Sequence, residues 1–205
     1  NKPYGDDDFT ELAKIEFKKV FKNKNLNIIP MISGTASNAF ALSLMTNKND
    51  YVICHEDAHI FTSECDAPKF FNSGIKLIAI SSSDGKLNPS LINSCLKNNV
   101  NKNIVGVSVS QLSENGTNYS IEILKKIGDI CKKNNLFFHM DGARFSNAVC
   151  NLKVKPSEMT WKIGLDCLTI GATKNGAFAA EAIIFFNKKK ICNYKFFQKR
   201  SGHVI

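Results

Sequence analysis

Leu136-Phe137-Phe138-His139-Met140-Asp141-Gly142-Ala143-Arg144 is the stretch on which the fold turns. A short apolar run closed by a glycine turn reads as a buried strand of an α/β sheet. It puts Asp141 at the strand's C-terminal tip. Asp166-Cys167-Leu168-Thr169-Ile170 repeats the pattern and runs into Gly171-Ala172-Thr173-Lys174-Asn175-Gly176, which puts Lys174 just beyond a second tip. Ligands of open α/β sheets bind outside the carboxyl ends of the strands. An acid and an amine are therefore expected to converge at one edge of the sheet.

The rest of the chain supports that architecture. Apolar residues at 9, 12, 13, 15, 17, 20 and 21, with lysines between, predict a helix from Phe9 to Lys22. Ile28 to Ile32 reads as a short strand or turn, and Ala36 to Met45 as an Ala- and Leu-rich helix. Tyr51–Cys54, Lys76–Ile80 and Ile104–Val109 read as strands. Pro89 suits the start of a helix running to about Leu96, and Ser120 caps one from Ile121 to about Lys133. Alternation at this spacing predicts βαβ units and a mostly parallel sheet of the seven-stranded type, with helices on both faces. Ala182–Phe186 follows the 166–170 run without a helix between them, so these two are expected to be neighbouring antiparallel or mixed strands.

Composition narrows the class. The chain has 205 residues, 43% hydrophobic and 22% charged, which fits a soluble globular protein with one sizeable core. No apolar run approaches the roughly 20 residues needed to span a bilayer, and no secretory leader is evident. The net charge of +9 is carried mostly by lysines spread along the chain, with small clusters at Lys188-Lys189-Lys190 and Lys199-Arg200. No nucleic-acid motif accompanies them, so a solvated surface is expected rather than a nucleic-acid face. The seven cysteines, Cys54, Cys65, Cys95, Cys131, Cys150, Cys167 and Cys192, form no CxxC pair. They are expected to be reduced and buried, in a cytoplasmic protein. Asn1 and Ile205 lie where the pattern reads as interrupted, so a fragment lacking both ends is expected.

Asp141 and Lys174 together suit pyridoxal phosphate. A lysine amine forms a Schiff base with the cofactor aldehyde, and a carboxylate keeps the pyridine nitrogen protonated so that the ring acts as an electron sink. Ser33-Gly34-Thr35 before a helix is either an ordinary N-cap or a phosphate cradle, since free N–H groups at a helix N-terminus bind anions. Arg144 is placed to pair with Asp141 or with an oxygen of the cofactor ring. His55-Glu56-Asp57-Ala58-His59 has the letters of a zinc HExxH motif, but it follows a strand directly and lacks an evident third ligand, so no metal is expected. A flat imidazole stacked on a flat cofactor ring is the better use for one of these histidines.

With these residues in place the chain resembles the low-specificity L-threonine aldolases, fold-type-I pyridoxal phosphate enzymes of the aromatic amino acid beta-eliminating lyase/threonine aldolase family. The resemblance runs in order through Tyr4–Asp7, Ser33–Asn38, His55–His59, Glu64–Pro68, His139–Arg144, Met159–Lys162, Gly171–Gly176 and Ala180–Ala182. It implies an aspartate aminotransferase-like large domain covering residues 1–205. It also implies an aldehyde-lyase that cleaves L-threonine or L-allo-threonine to glycine and acetaldehyde, with an amino acid as substrate and a homodimer or homotetramer as the assembly.

The resemblance implies roles as well. Lys174 would be the Schiff-base lysine, Asp141 the partner of the pyridinium nitrogen, and Arg144 a contact on the ring-hydroxyl side. Gly34 and Thr35 would hold the phosphate. His59, with Glu64 five residues on, would be the ring-stacking histidine and a candidate base. Lys199 and Arg200 fall where the family has a basic segment near the cofactor; His55 has no implied role. Family members carry an additional N-terminal segment and a small C-terminal domain bearing a carboxylate-binding arginine, both expected to lie outside this chain. A β-eliminating lyase, an aminotransferase or a non-catalytic cofactor binder would share Lys174 and Asp141, and these alternatives stay open at this level.

Overall fold

The computed structural model describes residues 7–71, 74–186, 191 and 194–204. Tyr4–Asp6, the 188–190 lysine cluster and Cys192 lie outside the described residues. Seven strands form one sheet: β1 (Asn27–Met31), β2 (Tyr51–His55), β3 (Lys76–Ile80), β4 (Ile104–Ser110), β5 (Phe137–Gly142), β6 (Cys167–Gly171) and β7 (Glu181–Phe185). Their spatial order is β1-β7-β6-β5-β4-β2-β3. Neighbours from β6 to β3 pair in parallel, whereas β7 runs antiparallel to both β6 and β1. The missing helix between the 166–170 and 182–186 runs is the physical reason: without a crossover the chain returns as a hairpin.

The helices are α1 (Asp8–Val20), α2 (Gly34–Met45), α3 (His59–Thr62), α4 (Ala67–Phe71), α5 (Pro89–Asn98), α6 (Ile121–Lys133), α7 (Phe145–Leu152) and α8 (Tyr194–Arg200). Their starts are local chemistry. Asp7 accepts the Thr10 N–H, Ser33 the Ala36 N–H, Asn88 the Ser90 N–H and Ser120 the Ile123 N–H. Helix α7 and the short helices α3 and α4 are additions to the sequence-based expectation. Helix α8 ends at Arg200, and Gly202 turns the chain with φ of 74°.

Strand β5 is buried along its whole length. Phe138 and Met140 enter the larger core with Leu124 and Ile127 of α6 and Phe145 and Ala148 of α7. Phe137 packs on the other face with Leu42 of α2 and Val52 and Cys54 of β2. Both faces are thus covered, as a parallel sheet requires. The even residues of β5 serve one core, so the odd residues His139 and Asp141 share the α2 side. Helix α1 differs from the expected stripe: it buries no residue fully, and Phe9, Leu12, Ile15 and Val20 are exposed. The cysteine expectation needs correction too. Cys54, Cys131 and Cys167 are buried, but Cys65 and Cys150 are exposed. Cys65 sits in a left-handed turn with φ of 50° after α3, and Cys150 lies on the outer side of α7.

Candidate active site

Several sheet-edge segments meet around one cleft of about 390 Å³, lined by Ser33, Gly34, Thr35, His59, Asp141 and Lys174 among others. Ser33 and the first turn of α2 follow β1, Asp141 is the penultimate residue of β5, and Lys174 lies in the loop after β6. All three arrive at carboxyl ends of strands, where the topology predicts a ligand.

Asp141 lies at the C-terminal tip of β5, as expected, and is 8% exposed. One carboxylate oxygen accepts the Ala143 N–H at 3.0 Å and the other accepts from Asn38 Nδ2 at 2.8 Å. Lys174 is exposed on a single 3₁₀ turn, Thr173–Asn175, within the β6–β7 hairpin. That loop is tied at its base by the Ala172 N–H to the Ala180 carbonyl at 2.8 Å. Thr173 Oγ1 donates to Glu181 Oε1 at 2.6 Å, and Glu181 faces Gly171 in the sheet register. A side chain at Gly171 would run into the Glu181 carboxylate, so glycine there makes room for the tie that holds the lysine turn.

Ser33 is an N-cap as well as part of the cleft: its Oγ takes the Ala36 N–H at 3.2 Å, leaving Gly34 and Thr35 as the first helical residues facing the opening. A Cβ on Gly34 would meet only Glu181 Oε2, at 3.9 Å, so the approach to these backbone groups is open. His59 opens α3 with its side chain partly exposed, and its Nδ1 lies 3.0 Å from Glu64 Oε1. Glu64 is 3% exposed, its Oε2 has no hydrogen-bond partner among the described residues, and burial pushes its carboxyl above the usual range, reinforced by the nearby Asp141 charge. This donor set fits pyridoxal phosphate: an amine for the aldehyde, a buried carboxylate for the ring nitrogen, an open helix N-terminus for the phosphate and an imidazole at the side.

Arg144 stands apart from the residues lining the cleft. It precedes α7, and its guanidinium Nη1 lies 3.4 Å from Glu114, which does line it. Lys199 lines a different groove, with Lys14 of α1 and Met31 of β1, away from Lys174. His55 ends β2, while His59 begins a helix after an intervening turn, so the two are not on one helix as an HExxH zinc site needs. The Asp57 N–H donates to His55 Nδ1 at 3.1 Å, and Nε2 lies 3.0 Å from Ser82 Oγ, so this side chain latches β2 to the loop after β3.

Two further residues complete the arrangement. Asn38, on α2, is 2% exposed and bonded to both Glu64 and Asp141. Glu64 stands out in the sequence only by its spacing from His59. Asn38 lies within the Ser33–Asn38 stretch, one turn beyond the cradle, but nothing local marks an asparagine that pairs 103 residues away.

The model of the beta-eliminating lyase family matches residues 1–204. A low-specificity L-threonine aldolase from Pseudomonas sp. (strain NCIMB 10558) is 40% identical over 204 residues, and one from Pseudomonas aeruginosa is 38% identical over 204. Each alignment covers 98% of this chain and 59% of the relative, so the chain spans about three-fifths of their length. The solved structure of Leishmania major threonine aldolase superimposes with a TM-score of 0.93 at 28% identity, covering 100% of this chain and 60% of that one.

Proposed function

The chain belongs to the beta-eliminating lyase family, and on that premise we propose that it is the pyridoxal phosphate-binding large domain of a threonine aldolase. The reaction is retro-aldol cleavage of L-threonine or L-allo-threonine to glycine and acetaldehyde. One observation carries this reading: Lys174, Asp141, His59 and the N-terminal turn of α2 line a single cleft although they come from four separate parts of the chain. The relatives named low-specificity L-threonine aldolases support the choice of substrate.

In this proposal Lys174 supplies the amine that holds the cofactor aldehyde. Asp141 would take the pyridine N–H, the Gly34 and Thr35 N–H groups would take the phosphate, and Arg144, now paired with Glu114 beside the cleft, would serve the ring-hydroxyl side. Bound pyridoxal phosphate supplies an electron sink for the pair released when the Cα–Cβ bond breaks. His59 takes the β-hydroxyl proton at Nε2, while Glu64 holds the opposite nitrogen and so fixes the ring. Loss of that proton leaves Cβ as the carbonyl of acetaldehyde, and a proton delivered to Cα completes glycine. Atoms balance with no water or oxidant. A second copy of the chain is part of the proposal, supported by Phe178, which is 97% exposed at the lip of the cleft. No described helix is long and apolar enough to cross a membrane.

The test is the absorbance spectrum of the chain with added pyridoxal phosphate, before and after borohydride, with peptide mapping of the reduced adduct. A visible band fixed onto Lys174, together with acetaldehyde from threonine in the absence of a keto acid, is expected. A Lys174→Ala chain that keeps the band sinks the assignment.

A further inference from the structure

Asn38 makes three side-chain hydrogen bonds to three other parts of the fold. Its Nδ2 donates to Glu64 Oε1 at 2.7 Å and to Asp141 Oδ2 at 2.8 Å, and its Oδ1 accepts from Thr169 Oγ1 at 2.7 Å. Chemistry sets the orientation of the amide: flipped, its carbonyl would face two carboxylates. Glu64 and Asp141, both nine-tenths or more buried, thus share one NH₂ group.

The same Glu64 Oε1 faces His59 Nδ1 at 3.0 Å. Glu64 Oε2 is buried with no partner among the described residues, so both bonds to Glu64 meet at Oε1. The network is best satisfied with Glu64 ionised, His59 Nδ1–H donating to it, and Nε2 left free as an acceptor. Two buried carboxylates repel each other, and the amide between them is what makes joint ionisation tolerable. Without it, one must take up a proton. Glu64 is the one, since burial and the Asp141 charge already raise it.

We propose that Asn38 is a positioning residue that couples the proton on His59 to the carboxylate of Asp141 by donating to Glu64 and Asp141 at once. The assignment rests on the functional reading of His59 and Asp141 but concerns this chain's own side chains, whether or not a cofactor is bound. The ionisable groups facing the network are His59 from α3, Glu64 from the turn after it, Asp141 and His139 from β5, and Lys174, Glu181 and Glu114 around the cleft. Positive charge arriving at Asp141 eases the ionisation of Glu64, and an ionised Glu64 holds the proton on His59 Nδ1. A cation at one end therefore fixes the tautomer that leaves His59 Nε2 as the free acceptor at the other.

The experiment is NMR titration of the His59 ring in the 205-residue chain without cofactor, reading the pKa and the tautomer from the ring nitrogens. Asn38→Leu should move the His59 titration to lower pH and loosen the Nδ1–H tautomer, as Glu64 becomes protonated. Thr169→Val, which keeps the side-chain shape but removes the hydroxyl pinning the amide, should move it the same way by less. If Asn38→Leu fails to fold, Thr169→Val decides alone. An unshifted His59 titration in the folded variants overturns the coupling and leaves Asn38 a packing residue. Failure of the functional reading shows separately, as absence of a Lys174 adduct after borohydride with the His59 shifts intact.

Discussion

Lowering the pH should weaken this fold through His139. The residue is fully buried in β5, two positions before Asp141 on the same face. Its Nδ1 lies 2.8 Å from Ser108 Oγ, and its Nε2 has no partner among the described residues. Burial holds the imidazole down to about 4 from the ordinary 6.5, against an opposing pull from Asp141. The folded value lies below the unfolded one, so between them the unfolded chain binds the extra proton. Stability from this group is therefore complete above pH 6.5 and is lost as pH falls toward 4. The gap between the two values, at about 1.36 kcal/mol per pH unit, amounts to about 3 kcal/mol. That is a large share of the roughly 5–15 kcal/mol of a typical domain. Glu64 works the other way, since its raised carboxyl favours the fold at low pH. Comparison with His139→Gln cancels that contribution, because Glu64 is present in both chains. Urea unfolding at pH 7, 6, 5 and 4 should show the parent losing about 3 kcal/mol more than the variant. Parallel curves would refute the argument that this imidazole is held neutral by burial.

Two other substitutions probe packing near the site and away from it. Gly171→Val should push the Glu181 carboxylate aside and break its bond with Thr173, costing about 1 kcal/mol in urea unfolding; the larger effect is expected in pyridoxal phosphate affinity, measured by the visible band, because the Lys174 turn loses its tie. Gly128→Ala would favour α6 by propensity, yet its Cβ would meet the Ile163 backbone carbonyl. It should destabilise by about 3 kcal/mol, and an unchanged urea midpoint would show that the α6 packing is looser than described.

The parts of the site that local pattern encodes are legible in the sequence. Asp141 and Lys174 close apolar runs, and period and punctuation alone place them at strand ends. Ser33 announces a helix start whatever else it does. The seven-stranded order is not legible residue by residue, because which strands become neighbours depends on crossovers rather than on any one strand's composition. Nor are the α7 helix and the Arg144–Glu114 pair, whose partners lie 30 residues apart. The amide of Asn38 is the hardest case: its identity makes sense only beside Glu64 and Asp141, brought in from 26 and 103 residues away.

Residues 34 and 38 are one turn apart on α2, and that spacing has a mechanical meaning. The open end of the helix and the amide clasping two acids belong to one stiff rod, buried along Ser37 to Leu42. An anion that tugs the rod's tip by a few tenths of an ångström must drag the clasp with it. If α2 holds the phosphate as proposed, that grip and the setting of the proposed proton machinery are a single adjustment, and a residue that loosens the rod in its socket, such as a trimmed Phe40 or Leu42, would detune both together while touching neither.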